Sequence, residues 1–143
     1  MKEGVFLKYI RFYQFCWNNR LKIVAKTLNF INKIVFSCDI PPSCYIGKGT
    51  SFPHYALGVV MHPRSKLGEN CKIYQHVTIG SRNGNGPPIL GNNVLVGSGA
   101  SILGNITIGD NVNIGSNSIV LNDLPSNCTV VGVPARVIIK KPV

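Results

Sequence analysis

A large apolar residue returns at every sixth position over part of the second half of this chain. The positions are Leu90, Val96, Ile102, Ile108, Ile114 and Val120. A second series of mostly small or β-branched residues lies two positions earlier: Val94, Ala100, Ile106, Val112 and Ser118. A period of six is a multiple of the strand period of two but not of the helix period of about 3.6, so the pattern predicts short strands joined by turns. Three pairs supply residues that tolerate positive φ at those turns: Asn92-Asn93, Gly104-Asn105 and Asp110-Asn111.

A fixed short period of this kind is typical of a parallel β-helix, in which three hexapeptides of about 18 residues together complete one triangular coil. The large apolar side chains then point inward and stack on the coil below. Each coil contacts only its neighbours, so both ends need a cap. We predict a β-helix domain over residues 39–135, with the helical segment 1–38 at one end and the C-terminal tail 136–143 at the other.

The count of six fails at two places. From Phe52 to Val60 the step is eight residues, and the next step, to Leu67, is seven. From Ile79 to Leu90 the step is eleven, which predicts an extended loop over residues 81–89. Loops that bulge out of a solenoid often carry function. Two of the three histidines lie at the first break, which makes it a candidate site.

The positive charge of the chain is concentrated towards its ends. The net charge is +10, yet residues 39–135 carry five basic and four acidic residues, and residues 1–38 carry seven basic residues and one acidic residue. A nucleic-acid-binding protein spreads its basic residues over the folded surface, so nucleic acid is not expected as a partner. Five cysteines without a CxxC pair favour a reduced, cytoplasmic protein over a disulfide framework.

Residues 5–36 predict two helices, and two compatible interpretations of them stay open. In the second helix an apolar stripe recurs at helical spacing with lysines between its members. The stripe consists of Leu21, Val24, Leu28, Ile31 and Val35. The first interpretation is a cap that packs this stripe on the coil or on another subunit. The second is peripheral contact of residues 1–36 with the inner face of the membrane, through aromatic and basic side chains.

Several stretches together resemble the hexapeptide-repeat acyltransferases, most closely their serine-acetyltransferase-like branch. They are CDIPPSCYIGKG, PHYALGVVMHP, VTIG, GSGASILGNITIG and VVGVPARVI, within about residues 37–139. The resemblance implies a mainly β fold, a left-handed parallel β-helix of hexapeptide repeats with a short N-terminal α-helical segment. It also implies a homotrimer that moves acetyl from acetyl-CoA to a hydroxyl, without a metal ion.

The resemblance assigns the catalytic base to His54 and makes Asp39 the carboxylate that orients it. A hydroxyl is too weakly acidic to attack a thioester unaided, and a neutral imidazole that takes its proton is worth about 10²–10⁴-fold in rate. A carboxylate on the other ring nitrogen fixes the tautomer and stabilises the imidazolium. Asp39 precedes His54 by 15 residues, close to one coil, so the two can lie on adjacent turns.

Other positions follow from the same resemblance. A backbone N–H of Gly80 or Ser81 would hold the oxyanion. CoA would lie in a groove between subunits, and the residues beside it would be Ser98, Gly99, Ala100 and Ser116, with Arg136 and Lys140 near its phosphates. Weaker candidates for substrate contact are His76, His62 and Arg82, each with a turn or loop role as its alternative.

Two prolines depart from the pattern of true serine acetyltransferases. Pro53 stands before His54 where that pattern has Asp, and Pro87-Pro88 ends the loop where it has His-Pro. Proline supplies neither charge nor donor, and the short basic start resembles small capsule and exopolysaccharide O-acetyltransferases. We therefore expect a sugar hydroxyl of surface-polysaccharide biosynthesis as the acceptor. The alternative is serine O-acetylation in cysteine biosynthesis.

Two non-transferase interpretations remain. A zinc lyase of the γ-carbonic-anhydrase type shares this fold and uses three histidines, two of them five residues apart. The three histidines of this chain are 8 and 14 residues apart, so no metal is expected. The last alternative is a structural β-helix without activity.

Overall fold

The computed structural model describes residues 4–140, with side chains as far as residue 138. Two helices come first, α1 (Val5–Asn18) and α2 (Lys22–Phe36). The strands that follow are β1 (Tyr45–Ile46), β2 (Val60–Met61), β3 (Lys66–Leu67), β4 (Lys72–Ile73), β5 (Thr78–Gly80), β6 (Ile89–Leu90), β7 (Leu95–Val96), β8 (Ser101–Leu103), β9 (Thr107–Ile108), β10 (Asn113–Ile114), β11 (Ile119–Val120), β12 (Cys128–Val131) and β13 (Arg136–Lys140). A short turn, Pro53–Ala56, lies between β1 and β2.

The strands stack into three sheets that form the walls of a coil. The first sheet has the order β1-β3-β6-β9, the second β13-β12-β10-β7-β4 and the third β11-β8-β5-β2. All pairs are parallel except β12 with β13. Val96 pairs with Ile114 and Ile102 pairs with Val120, in each case 18 residues later. The predicted fold class, a left-handed parallel β-helix with an N-terminal helical segment, is confirmed.

The hexapeptide pattern marks the interior of this coil. All six of its large apolar side chains are buried, with no more than 2% of any of them exposed. Asn93, Gly104 and Asn111 turn the corners with φ of 55°, 104° and 57°, so each predicted turn pair supplies one residue with positive φ. Local period and corner chemistry therefore agree along the whole regular part of the stack.

The second break lengthens its coil without disturbing the register. Leu67 pairs with Leu90 and Ile79 with Ile102, 23 residues apart rather than 18. The five extra residues leave the wall in a loop over residues 81–88, because Ile89 already belongs to β6. Pro87 and Pro88 are buried where this loop rejoins the wall.

Both ends of the stack are covered. At the N-terminal end α1 buries Ile10 and Tyr13 completely, and the Tyr13 hydroxyl donates to the Ile40 carbonyl oxygen at 2.8 Å. At the other end β13 returns antiparallel along β12, so residues 136–140 form a strand rather than an open tail.

α2 does not pack in the way its sequence predicts. The residues that it buries are Ala25, Asn29 and Asn32. Val24, Ile31 and Val35 from the predicted stripe are 44%, 44% and 61% exposed. The expectation that this stripe faces the coil is therefore wrong. The polar face turns inward because Asp39 at the start of the coil attracts it: the Asn29 amide nitrogen lies 3.1 Å and the Lys33 ammonium 2.8 Å from the Asp39 carboxylate. Neither described helix is both long and apolar enough to cross a bilayer.

We predict that stability resides in the inward hexapeptide positions. Ile102→Ala should lower the free energy of unfolding by about 2–5 kcal/mol, because it opens a cavity in a closed interior. Ile89→Ala is the matched control, since Ile89 is 44% exposed and points away from the coil; it should cost less than about 1.5 kcal/mol. Urea unfolding followed by circular dichroism measures both, and equal losses would contradict the assignment of the interior.

Candidate active site

His54 stands on a left-handed turn of the backbone. Three consecutive residues, His54, Tyr55 and Ala56, have φ of 55°, 55° and 57°. For residues other than glycine this region costs roughly 1–2 kcal/mol each. Such strain persists only where the surroundings hold it, and it concentrates at functional sites. The first break in the sequence period is therefore a bulge of unusual conformation.

Backbone hydrogen bonds fix both ends of this bulge. Within it, Leu57 N–H donates to the His54 carbonyl at 3.1 Å and Val59 N–H to the Ala56 carbonyl at 2.9 Å. Gly58 N–H donates to the Ser37 carbonyl at 3.1 Å, which ties the bulge to the segment after α2. The turn is therefore held both by itself and by its neighbours.

Aromatic side chains of the two helices hold the turn from outside. The Tyr55 ring stacks on Phe36 of α2, with centroids 5.7 Å apart, and meets Phe6 of α1 edge-on at 6.1 Å. Phe6 also contacts Phe36 and Phe52 edge-on. The helical cap thus positions the residue next to His54.

His76 closes the bulge from the next coil. Its backbone N–H donates to the Leu57 carbonyl at 2.8 Å, and its ring lies against Gly58, which has φ of 69°. A Cβ at Gly58 would overlap the His76 Nδ1, so only glycine allows this approach. His76 thus has a clear packing role, and its predicted contact with substrate stays a prediction.

The exposed His54 side chain lines a cleft of about 320 Å³ at the edge of the second sheet. The cleft is also lined by Tyr74, Gln75, Leu95, Gly97, Ser98 and Ser116. Ser98 and Ser116 lie one coil apart, with their hydroxyl oxygens 3.3 Å from one another. Of the predicted CoA-contact positions, the structure therefore brings these two serines together with His54.

Two neighbours of these serines serve the coil. The Ala100 side chain is completely buried. Gly99 turns a corner with φ of 71°, against the Asn117 side chain. Conversely, sequence reasoning missed Gln75, whose Oε1 is buried without a hydrogen-bond partner among the described residues. Its only signal was its position beside His76.

The remaining predicted residues gather around a second cleft, of about 440 Å³, at the end of the third sheet. Arg82 lines it, and His54 is not among its lining residues. Gly80, one coil below, accepts a hydrogen bond from Gly104 N–H at 2.9 Å, and the exposed Ser81 follows it. His62 N–H donates to the Ile79 carbonyl at 2.8 Å, which places His62 on the same edge.

Asp39 lies beside the bulge but bonds to α2. Its N–H donates to the Val59 carbonyl, and its carbonyl accepts from Met61 N–H, both at 2.8 Å. Both carboxylate oxygens contact the Lys33 and Asn29 side chains. Among residues 4–138 no hydrogen bond joins Asp39 to the His54 ring, so the role of Asp39 as its orienting partner stays a prediction.

The predicted phosphate contacts lie on the C-terminal strand. Arg136 is exposed, and its guanidinium donates to the carbonyl of Ala135 at 3.0 Å. The side chain of Lys140 lies outside the described residues. The contact of these two residues with CoA therefore stays a prediction.

The cysteines do not offer a nucleophile. All five are buried and unpaired with one another. Burial raises the pKa of the Cys38 thiol to about 11 and that of Cys44 to about 12, so both are protonated near neutral pH. Within residues 4–140 no group of three or more His, Cys, Asp or Glu side chains is placed to hold a metal ion.

Comparisons with known proteins agree with this geometry. A family model described as bacterial transferase hexapeptide (six repeats) matches residues 87–122. The serine acetyltransferase of Synechococcus elongatus is 43% identical over 125 residues, which are 85% of this chain and 51% of the relative. The chain belongs to the hexapeptide-repeat transferases. It is a homologue of serine acetyltransferases and spans about half the length of the curated relatives it matches.

Solved structures of serine acetyltransferases share the fold. The soybean apoenzyme superposes with a TM-score of 0.86 at 39% identity, over 93% of this chain and 56% of that one. A serine acetyltransferase from Brucella abortus strain S19, solved in complex with coenzyme A, gives a TM-score of 0.90 at 32% identity, over 95% and 55% of the two chains.

The predicted sugar acceptor is wrong, since these relatives are named serine acetyltransferases. The predicted likeness to capsule and exopolysaccharide O-acetyltransferases is not found either. The structure explains why the two prolines misled. Pro53 begins the turn that carries His54, and Pro87 is buried under the loop. Both shape the backbone, so they are poor evidence about the acceptor.

We predict that the contact between Gly58 and His76 contributes to the stability of the bulge. Gly84→Ala is the matched control, because Gly84 has φ of 74° and no atom of the described residues lies within 4 Å of the position its methyl group would take. That change should cost about 1–2 kcal/mol for backbone strain alone. Gly58→Ala should cost at least about 1 kcal/mol more, because the methyl group displaces the His76 ring. Equal losses in urea unfolding would contradict this account.

Proposed function

We propose that this chain transfers the acetyl group of acetyl-CoA to the side-chain hydroxyl of serine, with His54 as the general base. The observation that carries the proposal is the exposed His54 on a strained turn beside the Ser98–Ser116 cleft. Homology to serine acetyltransferases supports the acceptor and the donor. The location remains a prediction: the cytoplasm, with residues 1–36 near the inner face of the membrane.

The chemistry needs one proton acceptor and one oxyanion site. His54 takes the proton of the serine hydroxyl as its oxygen attacks the thioester carbonyl. The resulting tetrahedral oxyanion would be held by a backbone N–H of Gly80 or Ser81. When the C–S bond breaks, the imidazolium returns the proton to the sulfur. The products are O-acetylserine and CoA.

The separation of the two clefts supports a site shared between subunits. His54 and Arg82 lie at different edges of one triangular coil. In a homotrimer whose axis runs along the coil, one edge of each subunit meets a different edge of the next. The proposed CoA groove would therefore combine Ser98, Ser116 and Gln75 of one subunit with Arg82 and His62 of its neighbour. Arg136 and Lys140 would lie near the CoA phosphates.

We predict that His54→Ala lowers kcat for serine acetylation by about 10²–10⁴-fold, because the hydroxyl then loses its proton acceptor. Release of free CoA thiol from acetyl-CoA measures the rate, with serine or a set of sugars as acceptor. Serine should be the better acceptor. The exposed Lys66, on the outer face of β3, provides the control variant Lys66→Ala, which should keep the wild-type rate.

Three outcomes would overturn the proposal. A folded His54→Ala variant with a near-wild-type rate would exclude His54 as the base. A preference for sugars over serine would exclude the acceptor. No thiol release with any acceptor, from a folded oligomer, would favour the inert β-helix.

We predict a catalytic effect for Asp39 that its contacts with α2 alone do not explain. If Asp39 orients His54 in the assembled enzyme, Asp39→Asn should lower kcat at least about 10-fold with little change in KM. Lys33→Met, which removes only the ion pair on the α2 side, should leave kcat within about two-fold. If Asp39→Asn lowers only the melting temperature, then Asp39 serves solely to hold α2.

A further inference from the structure

The outward face of α2 is almost entirely apolar. Seven residues form this face, which we name the outer arc: Ile23, Val24, Thr27, Phe30, Ile31, Ile34 and Val35. They span about 140° of the helix circumference at 100° per residue. The six apolar members are 44% to 83% exposed. A helix on a water-facing surface normally shows the reverse pattern, with its apolar side against the protein.

The one polar member of the outer arc needs no water. The Thr27 hydroxyl donates to the Ile23 carbonyl oxygen of its own helix at 3.0 Å. A hydroxyl that enters an apolar medium without a partner costs free energy, and this internal bond removes that cost. The outer arc can therefore leave water without stranding a donor.

The charges beside the outer arc are all positive. Residues 4–38 contain six basic residues and no acidic residue: Lys8, Arg11, Arg20, Lys22, Lys26 and Lys33. On the helical wheel Lys22 and Lys26 lie along one flank of the arc. The Lys22 ammonium also lies 5.4 Å from the ring centre of Trp17, an aromatic residue suited to a headgroup region.

Charge complementarity favours an anionic surface over a second copy of this chain. Two copies that meet through α2 would bring together two segments without a carboxylate. The coil body offers no acidic counterpart either, because residues 39–135 carry a net charge of +1. An apolar arc flanked by lysines matches an interfacial helix, which lies flat at the boundary of headgroups and acyl chains.

We propose that the outer arc of α2 docks on the surface of an anionic lipid bilayer, with Lys22 and Lys26 on the headgroups. This surface lies outside the His54 cleft, so the proposal does not depend on the reaction. Docking through one apolar face and a few lysines is reversible and depends on salt.

The test is co-sedimentation of the full chain with vesicles. One set contains phosphatidylcholine alone, and the other replaces a quarter of it with phosphatidylglycerol. The chain should bind the anionic vesicles at least about 10-fold more tightly, and binding should weaken between about 0.05 M and about 0.5 M salt. Lys22→Gln/Lys26→Gln should weaken binding about 10-fold or more.

A matched control separates this surface from net charge. Lys48→Gln/Lys66→Gln removes the same charge from two exposed positions of the coil body and should leave binding within about two-fold. Phe30→Ser/Ile34→Ser should weaken binding about 10-fold or more while preserving both lysines. If that variant loses helix by circular dichroism, Ile23→Ser, at an 83% exposed position, tests the same face.

Three results would overturn the proposal. The first is no binding to anionic vesicles at low salt. The second is an equal loss in the Lys48/Lys66 control, which would make the attraction a property of net charge. The third is an oligomer, seen by light scattering, that dissociates in the Phe30→Ser/Ile34→Ser variant and does not bind vesicles, which would make a second copy the occupant.

Discussion

Each coil must return the chain to the same three walls, because the inward aliphatic side chains are stable only when they stack on those of the next coil. Pairing of Val96 with Ile114 after 18 residues expresses this constraint, and pairing of Ile79 with Ile102 after 23 shows that it survives an insertion. Extra residues can only leave the wall outward. The stack therefore determines where irregular backbone, and with it chemistry, can be placed.

The bulge at His54 is the structural consequence with the clearest functional meaning. A left-handed turn of three residues other than glycine would not persist alone. Here the Tyr55 ring is held by Phe36 and Phe6 of the helices, while the backbone after the turn is held by the coil. The cap therefore does more than cover an end of the stack, because it also supports the residue that presents His54 to its cleft.

Sequence predicted what depends on neighbours along the chain. The six inward positions, the corner residues and a loop one residue too long followed from the period, and the break in the period pointed to His54. The conformation of residues 54–56 and the contact of Gly58 with His76 could not be predicted, because they depend on side chains one coil away. The inverted packing of α2 depends on Asp39, ten residues beyond Asn29. The acceptor was misjudged because Pro53 and Pro87 were interpreted as substrate contacts, although they shape the backbone.

The central claim is that the bulge delivers His54 to the reacting atoms in an assembled enzyme. A crystal structure of the chain with CoA and serine tests it most directly. The account predicts the His54 ring within hydrogen-bond distance, about 2.6–3.2 Å, of the serine hydroxyl, with the CoA sulfur beside it and the Ser98–Ser116 cleft occupied. Serine and CoA bound together at a position that His54 cannot reach would contradict it.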